Sequence, residues 1–114
     1  MRTSLDEDKV LPLTALQFQI LVALAGGASY GYEIAETCAR DSQGLLKPGG
    51  GATQASLKRL TSGGYIEFVG HQAGAGSPHK RSVYRLTLAG RTVLGWEAER
   101  LSKVAHLAKK RLNA

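Results

Sequence analysis

Apolar residues recur along the chain at the spacing of amphipathic helices, and the first such segment covers residues 14–25. Thr14 is expected to cap this helix through its hydroxyl, and Gly26 and Gly27 end it. One apolar stripe contains Leu13, Leu16, Ile20 and Leu24, and a second contains Phe18, Val22 and Ala25. A helix with two apolar stripes is buried on two sides, so one side can pack on its own core and the other on a neighbouring subunit.

The next segments predict a short helix and a pair of strands. The helix covers residues 31–40, with Ser29 as its cap. Its buried side contains Ile34, Ala35 and Cys38. A turn and a brief strand are expected at residues 41–44 and 45–47. β-Branched and aromatic residues predict two further strands, residues 65–69 and 82–86, which a long glycine-rich loop joins into a hairpin.

Between these segments lies KPGGGATQASLKRLTSGGYI, residues 47–66, which predicts a helix with glycines at its entrance and exit. At 100° per residue, its apolar side contains Thr53, Leu57 and Leu60. Its opposite side contains Ala55, Lys58, Arg59 and Ser62. Short side chains allow close approach to the major groove, and cations meet phosphates. The alternative for this helix is an ordinary solvated surface.

Thr87 is expected to cap a long closing helix whose apolar stripe exceeds what one small domain can cover. The stripe contains Val93, Leu94, Ala98, Leu101, Val104, Ala105, Ala108 and Leu112. The fold class is therefore mainly α with a small β-hairpin, in the order of a winged helix-turn-helix. We divide the chain into a flexible arm at residues 1–12, the winged helix-turn-helix at 13–87 and a dimerisation helix at 88–114.

The chain has 114 residues and a net charge of +6, and its charged residues are unevenly distributed. Between Ser42 and Trp96 the only acid is Glu67. The bases of that stretch are Lys47, Lys58, Arg59, Lys80, Arg81, Arg85 and Arg91. Such a positive field suits a polyanion. A membrane surface is disfavoured because no bulky apolar face lies opposite a lysine-rich one. The longest apolar stretch, Ile20 to Ala25, is too short to cross a bilayer, and we expect a cytoplasmic protein.

The residues do not assemble into a catalytic or metal-binding pattern. The amides of Gly49 to Gly51 could hold one DNA phosphate, but no lysine-serine pair follows as a nucleotide loop requires. His71, His79 and His106 lack metal-ligand spacing. We therefore expect no enzyme activity, no cofactor and no metal. The lone Cys38 excludes an internal disulfide, and it is either a small core residue or a redox sensor.

Positive charge on both the third helix and the hairpin predicts double-stranded DNA as the partner. The expected DNA contacts are Gly51, Ala52, Thr53, Gln54, Ala55, Lys58, Arg59, His79, Lys80 and Arg81. Lys58 and Arg59 point about 100° apart, so phosphate contact is expected rather than joint reading of one base; the alternative is that both are merely solvated. Arg85 could instead pair with Glu67 across the hairpin.

Three segments from about Leu16 to Leu94 resemble the PadR family of bacterial transcriptional regulators, in its form with a short C-terminal helix. They are ILVALAGGASYGYEIAE, GATQASLKRLTSGGYIE and KRSVYRLTLAGRTVL. The resemblance implies a homodimer in which each closing helix packs on the first helix of the partner. It also implies that the two recognition helices of the dimer bind a palindromic operator. The dimer contacts it implies are Phe18, Val22, Leu94, Leu101, Val104 and Ala108. A small aromatic effector is a further implied partner.

Two positions depart from the family pattern. Ala52 and Gln54 stand where the family usually has a threonine and then a tyrosine, so a tyrosine contact cannot be transferred. Gln54 could bond adenine instead. Trp96 lies off the closing stripe; it packs on its own subunit or forms a wall for an effector. The competing function is a winged-helix interaction module that docks an acidic protein with its basic face.

Overall fold

Five helices and a three-stranded antiparallel sheet make up the computed structural model, which describes residues 7–73 and 80–114. In chain order the elements are α1 (Glu7–Val10), α2 (Ala15–Ala25), β1 (Ser29–Tyr30), α3 (Gly31–Asp41), α4 (Gly50–Ser62), β2 (Ile66–Ala73), β3 (Lys80–Leu86) and α5 (Leu88–Leu112). The strand order is β1-β3-β2. The helical turn α1 lies in the segment for which the sequence predicted a flexible arm, and it packs beside α5. In the described ranges, no helix is long and apolar enough to cross a membrane.

Two predicted helix caps are confirmed. Thr14 Oγ1 accepts a hydrogen bond from Gln17 N at 3.0 Å, and the Gln17 side chain accepts in return from Thr14 N. This reciprocal pair fixes the start of α2. Thr87 Oγ1 accepts from Gly90 N at 3.0 Å and so begins α5. At these two positions the hydroxyl before the apolar run marked the helix start.

Two local predictions are wrong. Ser29 does not cap α3; it lies in β1 opposite Tyr84, and its hydroxyl donates to Glu33. The backbone of β1 is extended because it pairs with β3, and a two-residue strand leaves no sequence periodicity to detect. Residues 45–47 form no strand, and the Leu45 side chain is 90% exposed. The two leucines of this segment lie in an irregular connection before α4, and they do not lie beside the edge of a strand.

The core lies where α2 packs against α3, α4, α5 and β3. Its buried members are Ile20, Leu21, Leu24, Ile34, Cys38, Leu57, Leu60, Ile66, Leu86 and Val93. Of the predicted inner residues of the second and third helices, they include Ile34, Cys38, Leu57 and Leu60, whereas Ala35 is only half-buried. Each flanking helix thus contributes one apolar stripe to a shared centre, and α2 is the element they have in common.

The hairpin strands β2 and β3 extend further than predicted and take in both ends of the expected loop. Glu67 lies opposite Arg85, and His71 lies opposite Ser82. An irregularity between Phe68 and Gly70 shifts the register by one residue. Gly70 has φ of 134°, a backbone conformation that a side chain would disfavour. The strands therefore continue outward beyond the core as a wing.

Candidate nucleic-acid interface

Helix α4 presents its polar side to the exterior because three residues anchor the opposite side. Thr53, Leu57 and Leu60 are buried, as the 100° spacing predicts. The exposed positions are Gly51, Ala52, Gln54, Ala55, Lys58, Arg59 and Ser62. The side chains on this surface are short, polar or cationic. The predicted orientation of α4, with its apolar side towards the core, is therefore confirmed.

Thr53 must be removed from the expected DNA contacts. Its side chain is 3% exposed, and its hydroxyl donates to Gly49 O at 3.0 Å. The hydroxyl thus satisfies a backbone carbonyl at the helix start and cannot reach a duplex. Gly50 and Gly51 are helical rather than part of a tight turn. Gly49 is the N-cap residue and supplies no capping side chain, so the first amides of α4 have no side-chain acceptor there.

The predicted contacts of the wing are only partly described. His79 lies outside the described residues. The backbone of Lys80 begins β3. Arg81 is described, and its guanidinium carbon lies 4.5 Å from the centre of the Tyr30 ring. The guanidinium of Arg81 is therefore held against β1.

Arg81 lines a surface depression together with Gln54, near the start of α4. The depression has a volume of about 210 Å³, and its lining residues are Tyr30, Gly31, Tyr32, Gln54, Arg81, Ser82 and Tyr84. Gln54 also approaches α3 closely, since a Cβ added at Gly31 would lie 3.1 Å from its Nε2. A glycine at the start of α3 thus leaves room for the Gln54 amide at the junction of α3, α4 and the wing.

A second groove, of about 450 Å³, separates α4 from the inner face of the wing. Gln54, Ala55 and Lys58 line its helical side, whereas Phe68 and Tyr84 line its strand side. The two aromatic rings are in edge contact, with centroids 6.1 Å apart. Phe68 is 47% exposed although it is apolar. An apolar wall facing a polar, cationic one matches the sugar and phosphate edges of a nucleic-acid backbone.

Neither these two aromatic residues nor Tyr30 was predicted from the sequence to lie at the interface. Tyr30, Phe68 and Tyr84 were assigned only to strand or helix-start segments. Phe68 and Tyr84 share one face of the sheet because they are cross-strand partners, whereas Tyr30 lies opposite Val83 and so belongs to the other face. Aromatic residues spaced along strands were the available signal, but they fit an ordinary core face equally well.

Arg85 is paired with an acid inside the wing. Its guanidinium contacts Glu67 Oε1 at 2.9 Å, directly across the hairpin. This is the internal pair that the sequence offered as the alternative for Arg85. Both side chains are about half exposed, so the pair compensates charge on the wing without stabilising it strongly.

The expected dimer contacts lie on α2 and on both halves of α5, and these parts differ in exposure. Leu94 is half-buried against the core of its own chain, and Phe18 and Val22 on α2 are also half-buried. Farther along α5, Leu101 and Val104 are 37% and 53% exposed, and all residues from 101 onward are exposed. The last three turns of α5 therefore carry apolar side chains that this chain does not cover.

An acid that the sequence analysis did not select fixes α5 to the start of α2. Glu97 is 1% exposed and accepts from Leu13 N at 2.8 Å. Its carboxylate also accepts from Arg100 Nε at 2.5 Å. The Arg100 hydrogen bond lowers the pKa of Glu97 below its ordinary value against the opposing effect of burial, and the Leu13 amide lowers it further. Glu97 is therefore a buried carboxylate held in its charged form.

Trp96 and Cys38 both belong to the interior of their own chain. Trp96 is half-buried against the core, which favours packing over a fully open effector wall. Cys38 is fully buried, and burial together with the nearby charge of Asp41 raises the pKa of its thiol to about 11. Because the thiolate is the reactive form, this environment supports the core interpretation of Cys38.

Residues 20–95 match the transcriptional regulator PadR-like family. No curated protein matches the sequence at a significant level. Among solved structures, a PadR-like regulator from Bacillus cereus is similar at 22% identity, with 88% of this chain and 93% of that chain covered and a TM-score of 0.74. A PadR family regulator from Clostridium difficile gives 23% identity, 85% and 97% coverage and a TM-score of 0.71.

A third similar structure is Bacillus subtilis PadR in complex with operator DNA, at 26% identity and a TM-score of 0.61. The alignment covers 71% of this chain but 45% of that longer one. The low identities show a shared fold, whereas the family match extends over more than half of the sequence. The chain therefore belongs to the PadR-like family of transcriptional regulators, a family of regulators rather than enzymes.

Proposed function

We propose that the protein is a homodimeric, sequence-specific DNA-binding regulator that represses transcription by occupying a palindromic operator. The observation that carries this proposal is the exposed face of α4, on which Gln54, Ala55 and Lys58 lie beside the groove below the wing. A groove-entering helix with an adjacent hairpin is the contact geometry of winged helices. The operator complex of the Bacillus subtilis relative supports the same partner.

In this proposal, Gln54 reads a base edge and Lys58 contacts phosphate. Gln54 is exposed at the junction of both depressions and can offer an adenine both a donor and an acceptor. Ala52 and Ala55 are short enough for the backbone of α4 to approach the groove floor. Arg59 lies on the same exposed surface and adds a second phosphate contact.

Selection from a random duplex library tests the proposal directly. A dimer should enrich a two-fold palindrome with half-sites one helical turn apart or a multiple of it. Affinity for the selected duplex should fall steeply with salt, and Lys58→Ala should reduce the slope of log affinity against log salt by about one. Lys109→Ala, an exposed lysine on α5, is the matched control and should leave the slope unchanged. An affinity that does not respond to salt would refute DNA binding, and a library without an enriched palindrome would favour the protein-interaction module.

The homodimer is proposed from the uncovered apolar residues of α5. Leu101, Val104 and Ala108 would pack on Phe18 and Val22 of α2 in a second copy, because α2 carries no charge that such packing would bury. Val104→Glu should shift the protein to a monomer in sedimentation velocity, since it places a charge in that contact. Ser102→Glu, which lies off the apolar stripe, should leave the dimer intact. A Val104→Glu variant that remains dimeric would contradict this interface.

We extend the proposal to release from DNA by a small aromatic effector that stacks on Trp96. Trp96 is only half-buried by its own chain, which leaves part of its side chain available to a ligand. Trp96 is the only tryptophan, so its fluorescence reports on this site alone. Quenching and DNA release should follow the same titration curve. A compound that releases DNA without changing Trp96 fluorescence would exclude Trp96 from the effector site.

A further inference from the structure

The cation–π contact between Arg81 and Tyr30 places a wing arginine at the recognition helix instead of at the loop tip. Tyr30 pairs with Val83, and Arg81 lies two residues along the same strand on the same face. Diagonal neighbours of this kind are within reach of long and aromatic side chains. The guanidinium carbon is 4.5 Å from the ring centre, and both residues are half-buried. The contact therefore limits the freedom of Arg81 before any partner binds.

The position of this contact gives it a consequence for binding. Arg81 and Gln54 line the same depression of about 210 Å³, so the guanidinium is held beside the residue expected to read a base. Arg81 contacts the Tyr30 ring through its guanidinium. A guanidinium that contacts a ring in this way can still donate N–H groups to a phosphate or a guanine edge. An arginine already held in place does not lose its side-chain freedom on binding.

We propose that Tyr30 is a positioning residue that holds Arg81 next to Gln54 for contact with DNA. This inference rests on the proposed DNA-binding function and deepens it. Tyr30 itself makes no base contact in this account, and its effect on affinity is exerted through Arg81. The prediction is therefore one of coupling: Tyr30 affects DNA affinity only while Arg81 is present.

The test is a double-mutant cycle on the duplex that the wild-type dimer selects, measured by fluorescence anisotropy at several salt concentrations. Tyr30→Leu should weaken binding by about threefold to fivefold, the range of an exposed cation–π contact. Its salt slope should stay unchanged because every cation remains. Tyr30→Phe keeps the ring and should rescue the lost affinity. Arg81→Ala should weaken binding at least as much and reduce the salt slope by about one. In the Arg81→Ala background, Tyr30→Leu should have no further effect.

A second measurement on the protein without DNA separates this inference from the proposed function. In the wild type and in Tyr30→Phe, the Arg81 Nε–H resonance should be shifted upfield by the ring, and the shift should vanish in Tyr30→Leu. An unshifted resonance, or an equal loss of affinity from Tyr30→Leu with and without Arg81, would overturn the role of Tyr30 while DNA binding stands. If the wild type binds no duplex, the proposed function fails and the role of Tyr30 fails with it.

Discussion

Replacing Glu97 should destabilise the fold through the one backbone amide that this acid satisfies. The carboxylate is almost fully buried and joins α5 to Leu13, the residue immediately before the cap of α2. Glu97→Ala removes the acceptor for Leu13 N and leaves Arg100 without its partner. Glu97→Gln keeps the side-chain shape and one oxygen that can accept from Leu13 N, whereas it removes the charge and replaces the second acceptor with an NH2 donor, so it is the closest control.

The expected magnitudes differ between the two variants. An unsatisfied buried amide costs about 1–3 kcal/mol, and the lost packing of the side chain adds about 1 kcal/mol. Arg100 has 40% of its side chain exposed and regains water, so its lost ion pair contributes little. Glu97→Ala should therefore lower the free energy of unfolding by about 2–4 kcal/mol. For Glu97→Gln we expect a loss of about 1 kcal/mol.

Urea unfolding at pH 7, followed by far-UV circular dichroism, measures both values. All variants should be compared at one protein concentration, because dimerisation would link stability to concentration. If Glu97→Ala unfolds within about 0.5 kcal/mol of the wild type, the Leu13 amide does not depend on Glu97 and the reasoning fails.

Because Glu97 has a lowered pKa in the folded state, the stability of the fold should depend on pH. The pKa of Glu97 in the folded state lies below its ordinary value of 4.5, chiefly because Arg100 donates to the charged form. The unfolded state therefore takes up its proton at higher pH than the folded state. The resulting stability is fully present above pH about 4.5 and is lost as the pH falls through the lowered folded-state pKa. The difference between wild type and Glu97→Gln should shrink over that window; a constant difference from pH 7 to pH 3 would contradict this assignment.

Three further predictions concern other parts of the molecule. Gly90→Ala would place a Cβ 2.0 Å from the Tyr65 carbonyl oxygen, so it should lower the free energy of unfolding by at least about 2 kcal/mol. The control is Gly95→Ala, whose Cβ would meet no atom within 4 Å and which should stabilise α5 by about 0.5–1 kcal/mol; thermal unfolding measures both. Cys38 should resist iodoacetamide at pH 8 until urea unfolds the protein, since its thiol is buried with a pKa of about 11; rapid labelling of the native state would disprove this. Arg85→Ala should change stability by less than about 1 kcal/mol in urea, because its ion pair is exposed; a larger loss would reveal a further role.

The orientation of α4 could be predicted from sequence because it depends on local periodicity. Leu57 and Leu60 fix which side faces the core, and the position of Lys58 follows from them without knowledge of any other element. The fate of Thr53 is an instructive exception. Its spacing placed it with the core, but its place in the segment also suggested DNA contact, and only the structure shows the hydroxyl donating to Gly49 O.

The sequence by itself determined the four longer helices α2 to α5, the caps at Thr14 and Thr87, and the apolar stripe of α5, since each is a short-range pattern of hydrogen-bonding or apolar side chains. The tertiary structure alone decided that Arg81 stacks on Tyr30 and that Glu97 satisfies the Leu13 amide. Those partners are separated by tens of residues in the chain, and they meet only because strand register and helix packing bring distant segments together. Periodicity carries no information about such meetings.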